Sequence, residues 1–507
     1  MNNSSSNIKK GTIITYITQF LGIGISFIYV PIMLGILGQK EYGLYALVQS
    51  LVSYLQMSEM GIGVTATRYN AKYIALKDED GQGKINGMFL LLYLGIALFC
   101  VIAGLIFYYY IPSVYSDYSS DSIDLIRVLF ILALANLVIH MVFKLFNAVI
   151  IAYEKFIFIK TLSLIQTVLG PVCMLAVLYM GKRSIGMLTV TTILSLIFGL
   201  IQMFYCFKYL RIKLKFGHFE KGLFYTIFSF TIFVFLNSLS HQLFSNSDKI
   251  IISILMSETA IAIYAIVLQF VTYYYMFSNV ISGFYLPRFT KAVSETRMVS
   301  KPLMEELIRT ARIQVMIAGL IFGGFAAIGK PFIVRWVGVE YESAYILSVI
   351  VLATEFIGSS QSMFNSLMQA MNLHKVRALL GLGCAVIKVV TTVFAVKWFG
   401  LIGAALIYLI VYIFRLFVYN VYYKVRVGID IRVFWSQIMK LFIPLIAVIA
   451  LFYFVFYTAM SFLPANGYPV IILYVVLYIV LFGCVCWFIL MNDYERNLLI
   501  SLIRKTK

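Results

Sequence analysis

The sequence predicts an all-α polytopic membrane protein of about fourteen transmembrane helices, laid out as two six-helix lobes in parallel repeat plus two C-terminal helices. Three observations predict it. Hydrophobic residues make up 62% of the 507 and charged residues 12%, whereas a soluble domain is roughly half apolar and about a quarter charged. The apolar residues fall in runs that reach the roughly 20 needed for a helix to cross hydrocarbon, not in the short alternating stretches of a barrel strand. A stretch near the N-terminus also recurs about halfway along the chain.

The runs cover approximately 11–37, 42–67, 85–111, 124–150, 158–180, 187–209, 222–247, 259–286, 309–330, 343–372, 377–398, 402–424, 438–463 and 469–492. The first is too long for the apolar region of a cleaved signal and is read as an uncleaved span. The formal net charge is +19. Most of the 40 lysines and arginines fall in alternate loops, and the positive-inside bias puts those loops and both termini in the cytoplasm. Tyr108, Tyr109, Tyr110 and Trp336 sit near expected interfaces, where amphipathic rings anchor a span. The basic inner loops at 208–222 and 288–312 read as amphipathic surface helices on anionic lipid. Asp78, Glu79 and Asp80 read as a solvated loop. The six cysteines lie inside apolar segments without a cysteine or histidine cluster, so they are read as small hydrophobes rather than metal ligands or disulfide partners.

The repeat aligns Ile32 with Ile251, an offset of 219, and pairs Tyr45 with Tyr264, Ala46 with Ala265, Val48 with Val267 and Lys72 with Lys291. Asn147 and Asn365 begin a second match at an offset of 218. Spans 1–6 and 7–12 are therefore read as related units. Six crossings return the chain to its starting side, so the repeat is parallel, about an axis along the membrane normal. The lobes are expected at 1–215 and 216–430, with residues 431–507 forming two extra spans and a tail. Such a layout implies a site between the lobes reached alternately from each side, a transporter pattern that does not name its cargo.

Ionisable groups at bilayer depth are costly and mark cavities or partners. Span 4 carries Asn136, His140, Lys144 and Asn147 on one helical face. Arg127, nearer the outer end, is read as snorkelling to head groups. Span 10 carries Glu355, Ser359, Ser362, Ser366 and Gln369 as a single stripe. Span 7 adds Asn237, His241, Ser245 and Asp248; span 2 adds Gln49, Ser53 and Gln56, with Glu59 and Arg68 toward its inner end. Gln19, Lys388 and Arg415 complete the set. Two readings stay open: structural bridges from Lys144, Lys388 or Arg415 to Glu59 or Glu355, or a hydrated cavity. Either histidine serves as a neutral hydrogen-bonding group or a proton-sensitive one. The deep cations outnumber the acids, so a cavity built from them attracts an anion, and phosphate suits arginine and lysine. Enzyme chemistry finds no motif: GxxxxGK[ST], GxSxG and HExxH are all missing.

The first 75 residues carry a resemblance. Lys10 and Gly11 before span 1, Pro31, the turn Gly38-Gln39-Lys40-Glu41-Tyr42-Gly43 leading to Tyr45, then Glu59-Met60-Gly61-Ile62-Gly63 and Arg68, resemble the start of Wzx-like polysaccharide (O-antigen) flippases. These belong to the multidrug/oligosaccharidyl-lipid/polysaccharide (MOP) superfamily, which also holds the MATE transporters. The run IAYEKFIFIK from Ile151 resembles that family's inner loop after span 4. The resemblance implies a MATE-like fold in the bacterial cytoplasmic (inner) membrane. It implies as cargo an undecaprenyl-diphosphate-linked oligosaccharide, flipped from the cytoplasmic to the outer leaflet by alternating access through a cationic central cavity. Partners would then be the lipid-linked glycan, bilayer lipids and other polysaccharide-assembly proteins, with no nucleic acid. No cofactor is expected, and coupling to a proton or sodium gradient or to the membrane potential is left open.

The candidate cavity residues are Lys144, Lys388, Arg415, Arg68, His140, Asn136, Gln19 and Gln49, and the candidate ion-coupling residues are Glu355, Asp248, His241 and Glu59. Competing readings are a MATE-branch cation antiporter, which span 1 disfavours by carrying no carboxylate, and a peptidoglycan lipid-precursor flippase. A polytopic glycosyltransferase or polymerase would be expected to carry a long outer loop, and the outer loops here are short.

Overall fold

The computed structural model describes residues 2–59, 61–217, 221–275, 300–371, 373–465 and 467–505. Every regular element among them is helical, since a backbone in hydrocarbon must satisfy its own hydrogen bonds. One compact unit spans residues 1–262. It holds α1 (Asn2–Gln56), α2 (Ile62–Leu76), α3 (Glu79–Val114), α4 (Ser120–Ala152), α5 (Phe156–Tyr179), α6 (Arg183–Lys208) and α7 (Lys221–Leu255). Helix α8 begins at 258 and is described to 275. The second unit, 263–507, continues with α9 (Lys301–Val337), α10 (Ala344–Ser359), α11 (Ser362–Ala370), α12 (His374–Tyr422), α13 (Ile431–Phe462), α14 (Tyr468–Val485) and α15 (Asp493–Lys505).

Among the described residues nine helical runs are long and apolar enough to cross a membrane, ten if the bent pair α10–α11 counts as one span. Fusion accounts for part of the difference from fourteen. Helix α1 runs through expected span 1 and into the first half of span 2, broken where Gly38 takes φ 75°, and α12 joins spans 11 and 12 across Gly400. Expected span 8 extends to 286, beyond the described residues. The repeat register is visible in the breaks: Gly38 plus 219 gives 257, where the chain leaves helix between α7 and α8.

Three expectations are corrected. Span 2 is not one helix: it passes through a 3-10 turn (Met57–Glu59) and a left-handed Gly61 before α2 starts at Ile62. Span 10 is likewise broken, α10 and α11 meeting at 46°, so its polar residues do not form a single stripe. The basic loop at 209–217 forms no helix. It lies along the start of α3 instead, where the Lys215 N–H donates to the Gly83 carbonyl at 2.9 Å. Gly87 permits this approach, for a Cβ there would stand 2.1 Å from the Lys215 carbonyl oxygen. Lys213 pairs with Glu79 at 2.9 Å and Lys215 with Asp80, while Asp78 caps α3 by accepting from the Gly81 N–H at 2.8 Å. The acidic triplet is therefore paired and capping, not merely solvated, and its Glu79 raises the Lys213 ammonium above its ordinary pKa. Of the other basic loop, 288–299 lies outside the described residues and 301–312 is the first part of α9.

The compact units and the repeat divide the chain at different places, because α7 packs on α1 and α2. In the second unit α13 and α14 lie on α9. Their seat is a face of small residues: a Cβ at Gly319 would meet Leu445 at 2.7 Å, and one at Gly323 the Tyr478 hydroxyl at 2.5 Å. This is the close helix approach that small residues allow in membranes.

Candidate functional site

In the first unit the Glu59-to-Gly63 motif positions a carboxylate. Gly61 adopts φ 71°, a conformation that costs a side-chain-bearing residue, and a Cβ there would lie 2.6 Å from Val234. The turn it makes presents Glu59 to Lys144 of α4, with Oε2 and Nζ 3.0 Å apart. Their side chains are 18% and 29% exposed, so the pair is largely removed from solvent. Gly63 lets α2 approach it, a Cβ there falling 3.0 Å from Glu59 Oε1. Of the two readings left open for Lys144, the structure shows the bridge.

Lys144 also borders an open-mouthed cavity of about 260 Å³ lined by α4, α5 and α6. Helices α4 and α6 run parallel in register: the Thr192 hydroxyl donates to the Leu132 carbonyl and the Ser195 hydroxyl to Asn136 Oδ1, each at 3.4 Å. Each of the three helices lines the cavity with residues at i, i+3, i+4 and i+7, starting from His140, Ile159 and Ser195. That spacing is one helical face. His140 and Asn147 join Lys144 on the lining, and Asn136 lies one turn before them, bonded to Ser195. Gln166 and Gln202, which complete the polar lining, were not singled out in the sequence, although the same spacing test applied to spans 5 and 6 finds them. Gln166 also borders a second, more apolar hollow of about 330 Å³ between α1, α5 and α6.

A separate polar group joins α1 to α7. The Gln242 carboxamide donates to the Ser53 hydroxyl, and the Asn246 amide donates to Gln242 Oε1 at 3.2 Å. Asp248, two residues on, is fully buried and close to Tyr54. Gln49 bonds the Tyr45 hydroxyl. Gln19 is half-buried, while Arg68 and His241 are exposed. Arg127 places its guanidinium over the Tyr108 ring at 5.0 Å.

The second unit gathers the other candidates. Helix α12 carries Tyr408, Tyr412, Arg415 and Tyr419, followed by Tyr423, at steps that stack on one face. Lys388 is fully buried with Nζ 4.6 Å from the Tyr408 ring centre, and the Arg415 guanidinium lies 4.5 Å from that of Tyr412. Arg377, not among the expected residues, sits 4.8 Å over Tyr419, donates to the Tyr423 hydroxyl at 3.0 Å and bonds Asn365. Such cation–aromatic contacts hold a cation while leaving much of its charge uncompensated. The acid of the group is Glu355, 4% exposed, which accepts from the Tyr408 hydroxyl at 3.5 Å and from Tyr275 and faces Arg415. Gly358 opens the room, since a Cβ there would fall on the Tyr412 hydroxyl. Arg415 faces this carboxylate, while Lys388 and Arg377 lie against tyrosine rings. The tyrosines were the missed signal: Arg415 has Tyr412 and Tyr419 three and four positions away, and Lys388 and Arg377 face Tyr408 and Tyr419.

A family model described as polysaccharide biosynthesis protein matches residues 8–293. The chain belongs to that family. Among curated proteins none matches. Solved structures share the fold at low identity. One is a lipid II flippase, MurJ, in an inward closed conformation, with 12% identity over 94% of this chain and 98% of that one and a TM-score of 0.64. A multidrug resistance MATE family transporter of the MOP superfamily, inward-facing, gives 14% identity over 81% and 94% and a TM-score of 0.61. A MATE transporter of Vibrio cholerae gives 14% over 84% and 98%, with 0.55. The chain is thus a multi-pass membrane protein of the MOP fold, as the first 75 residues led one to expect.

Proposed function

We propose that the protein flips an undecaprenyl-diphosphate-linked oligosaccharide repeat unit from the cytoplasmic to the outer leaflet of the bacterial cytoplasmic membrane, by alternating access and with both termini in the cytoplasm. Membership in the polysaccharide biosynthesis family supports the substrate class. The observation that carries the reading is the placing of Arg377, Lys388 and Arg415 against the tyrosines of α12, with Glu355 facing Arg415.

A hydrated glycan and a diphosphate cannot cross bare hydrocarbon, because each unpaired polar group there costs several kcal/mol, about 2–7 by transfer measurements. Arg377 and Arg415 can offer forked donors to phosphate oxygens, and Lys388 a point charge. The tyrosine hydroxyls supply further donors. The prenyl tail stays in lipid. Glu355, the acid facing Arg415, and Asp248 in the first unit are the groups through which a proton or sodium gradient would couple.

The test is translocation in proteoliposomes of a fluorescent undecaprenyl-diphosphate oligosaccharide, with a cationic dye as rival substrate. The expected result is glycolipid movement that Lys388→Met slows by about tenfold, the loss of one strong charge-assisted contact, with no dye transport. Dye export without glycolipid movement would replace this reading with the antiporter.

A further inference from the structure

We propose that the cavity between α4, α5 and α6 is a pyranose subsite, binding one neutral sugar ring of the cargo. The inference rests on the flippase reading and deepens it. Lys144 stands at the edge of this cavity, and on charge alone it would favour the diphosphate. Its partner Glu59 at 3.0 Å cancels that preference, leaving a lining that is polar and close to neutral.

Three carboxamides, Asn147, Gln166 and Gln202, one from each helix, line the space. Among the described residues they have no protein hydrogen-bond partner. Gln166 is exposed and Asn147 and Gln202 are half-buried, so their amides are open to water or a polar ligand, which polar groups at membrane depth require. Each carboxamide offers donors and acceptors together, the pairing that a sugar's neighbouring hydroxyls present in return. Phe143 and Phe198 add apolar walls suited to the less polar face of a pyranose. The Phe143 ring occupies its place because position 199 is glycine: a Cβ there would lie 2.3 Å from it. The volume, about 260 Å³, falls just under the roughly 300 Å³ at which pockets for drug-sized ligands begin. It has room for one ring, with the rest of a repeat unit outside it.

The experiment uses the full-length protein in nanodiscs and two kinds of probe. One is a panel of methyl pyranosides and N-acetylhexosamines followed by saturation-transfer NMR; the other is undecaprenyl diphosphate without sugars. The expected result is that at least one pyranoside binds, that Gln166→Leu/Gln202→Leu weakens it by about tenfold, as loss of hydrogen bonds to the sugar hydroxyls does, and that undecaprenyl diphosphate binds both proteins alike. No bound pyranoside, or equal pyranoside binding by the double variant, overturns the subsite. A parallel loss of undecaprenyl diphosphate in a variant that keeps its thermal midpoint also overturns it. If the double variant does not fold, Gln166→Leu alone is read in the same way, its residue lying at the exposed rim. Failure of the wild-type protein to bind undecaprenyl diphosphate would instead count against the flippase reading, whatever the sugars do.

Discussion

Lys144 and Glu59 show how one contact changes what a residue is for. Read from the sequence, Lys144 is a cation on the polar face of span 4; in the structure its ammonium is spent on a carboxylate carried by a helix break. Removing either partner leaves the other charge poorly compensated in a low-dielectric setting. Breaking buried pairs costs about 3–5 kcal/mol. The 18% and 29% exposure of these side chains brings the expectation for Lys144→Met or Glu59→Gln nearer to roughly 2 kcal/mol. The double variant Glu59→Gln/Lys144→Gln should recover most of the loss, and thermal melting in detergent checks it. Equal additive losses in single and double variants would mean that the two residues do not act as a pair. Arg127 belongs to the same scale: it was expected to reach head groups, and its guanidinium lies over the Tyr108 ring with Nε buried.

At the scale of elements, glycines decide where helices bend and how closely they pack. A Cβ at Gly43 would lie 1.9 Å from the Glu258 carbonyl, at the start of α8. The neighbouring turn is clasped by Lys40 to Glu258 at 3.7 Å and by Glu41, which accepts from Arg183 Nε at 2.6 Å and from the Ser184 N–H at 2.9 Å. Gly43→Ala and Gly61→Ala should each destabilise by about 1–3 kcal/mol, the first by overpacking and the second also through its positive φ. Gly24→Ala, with nothing within 4 Å of its Cβ, should be neutral or gain up to roughly 1 kcal/mol in helix propensity. A detergent melting series would sink the argument if Gly24→Ala proved the worst of the three.

These positions also show what a sequence can reveal. Long apolar runs made the helices legible, because hydrocarbon leaves the backbone few options. The breaks at 57–61 and 359–362 were not legible: both lie inside apolar runs, and Gly61 and Gly358 act through neighbours distant in sequence. Lys388 and Arg415 were found because a charge in an apolar run stands out. Arg377, close to an inner loop, looked like one more positive-inside residue. The carboxamides of α5 and α6 were hidden because each is single on its own helix and becomes a group only when three faces converge.

Over the whole molecule the polar interior is uneven: the cavity-lining cation of the first unit is paired, while the second unit concentrates cations on tyrosines. The chain's formal +19 reflects loops above all, and such a sum says nothing about where an anion would bind; the cations placed among the α12 tyrosines do. Arg415 faces Glu355, whereas Arg377 is held by Tyr419, Tyr423 and Asn365. The two arginines should therefore separate stability from transport. Arg377→Gln and Arg415→Gln are each expected to slow glycolipid translocation by about tenfold or more, roughly 1.4 kcal/mol of lost phosphate contact. Lysine at either place should restore only part, since it cannot fork onto two oxygens. Only Arg415→Gln should lower the melting temperature appreciably, because it strands the buried Glu355 carboxylate. Adding Glu355→Gln should then recover the melting temperature without recovering transport. If that second substitution restored translocation as well, the arginine would be a structural counter-ion and the diphosphate would have to be held elsewhere.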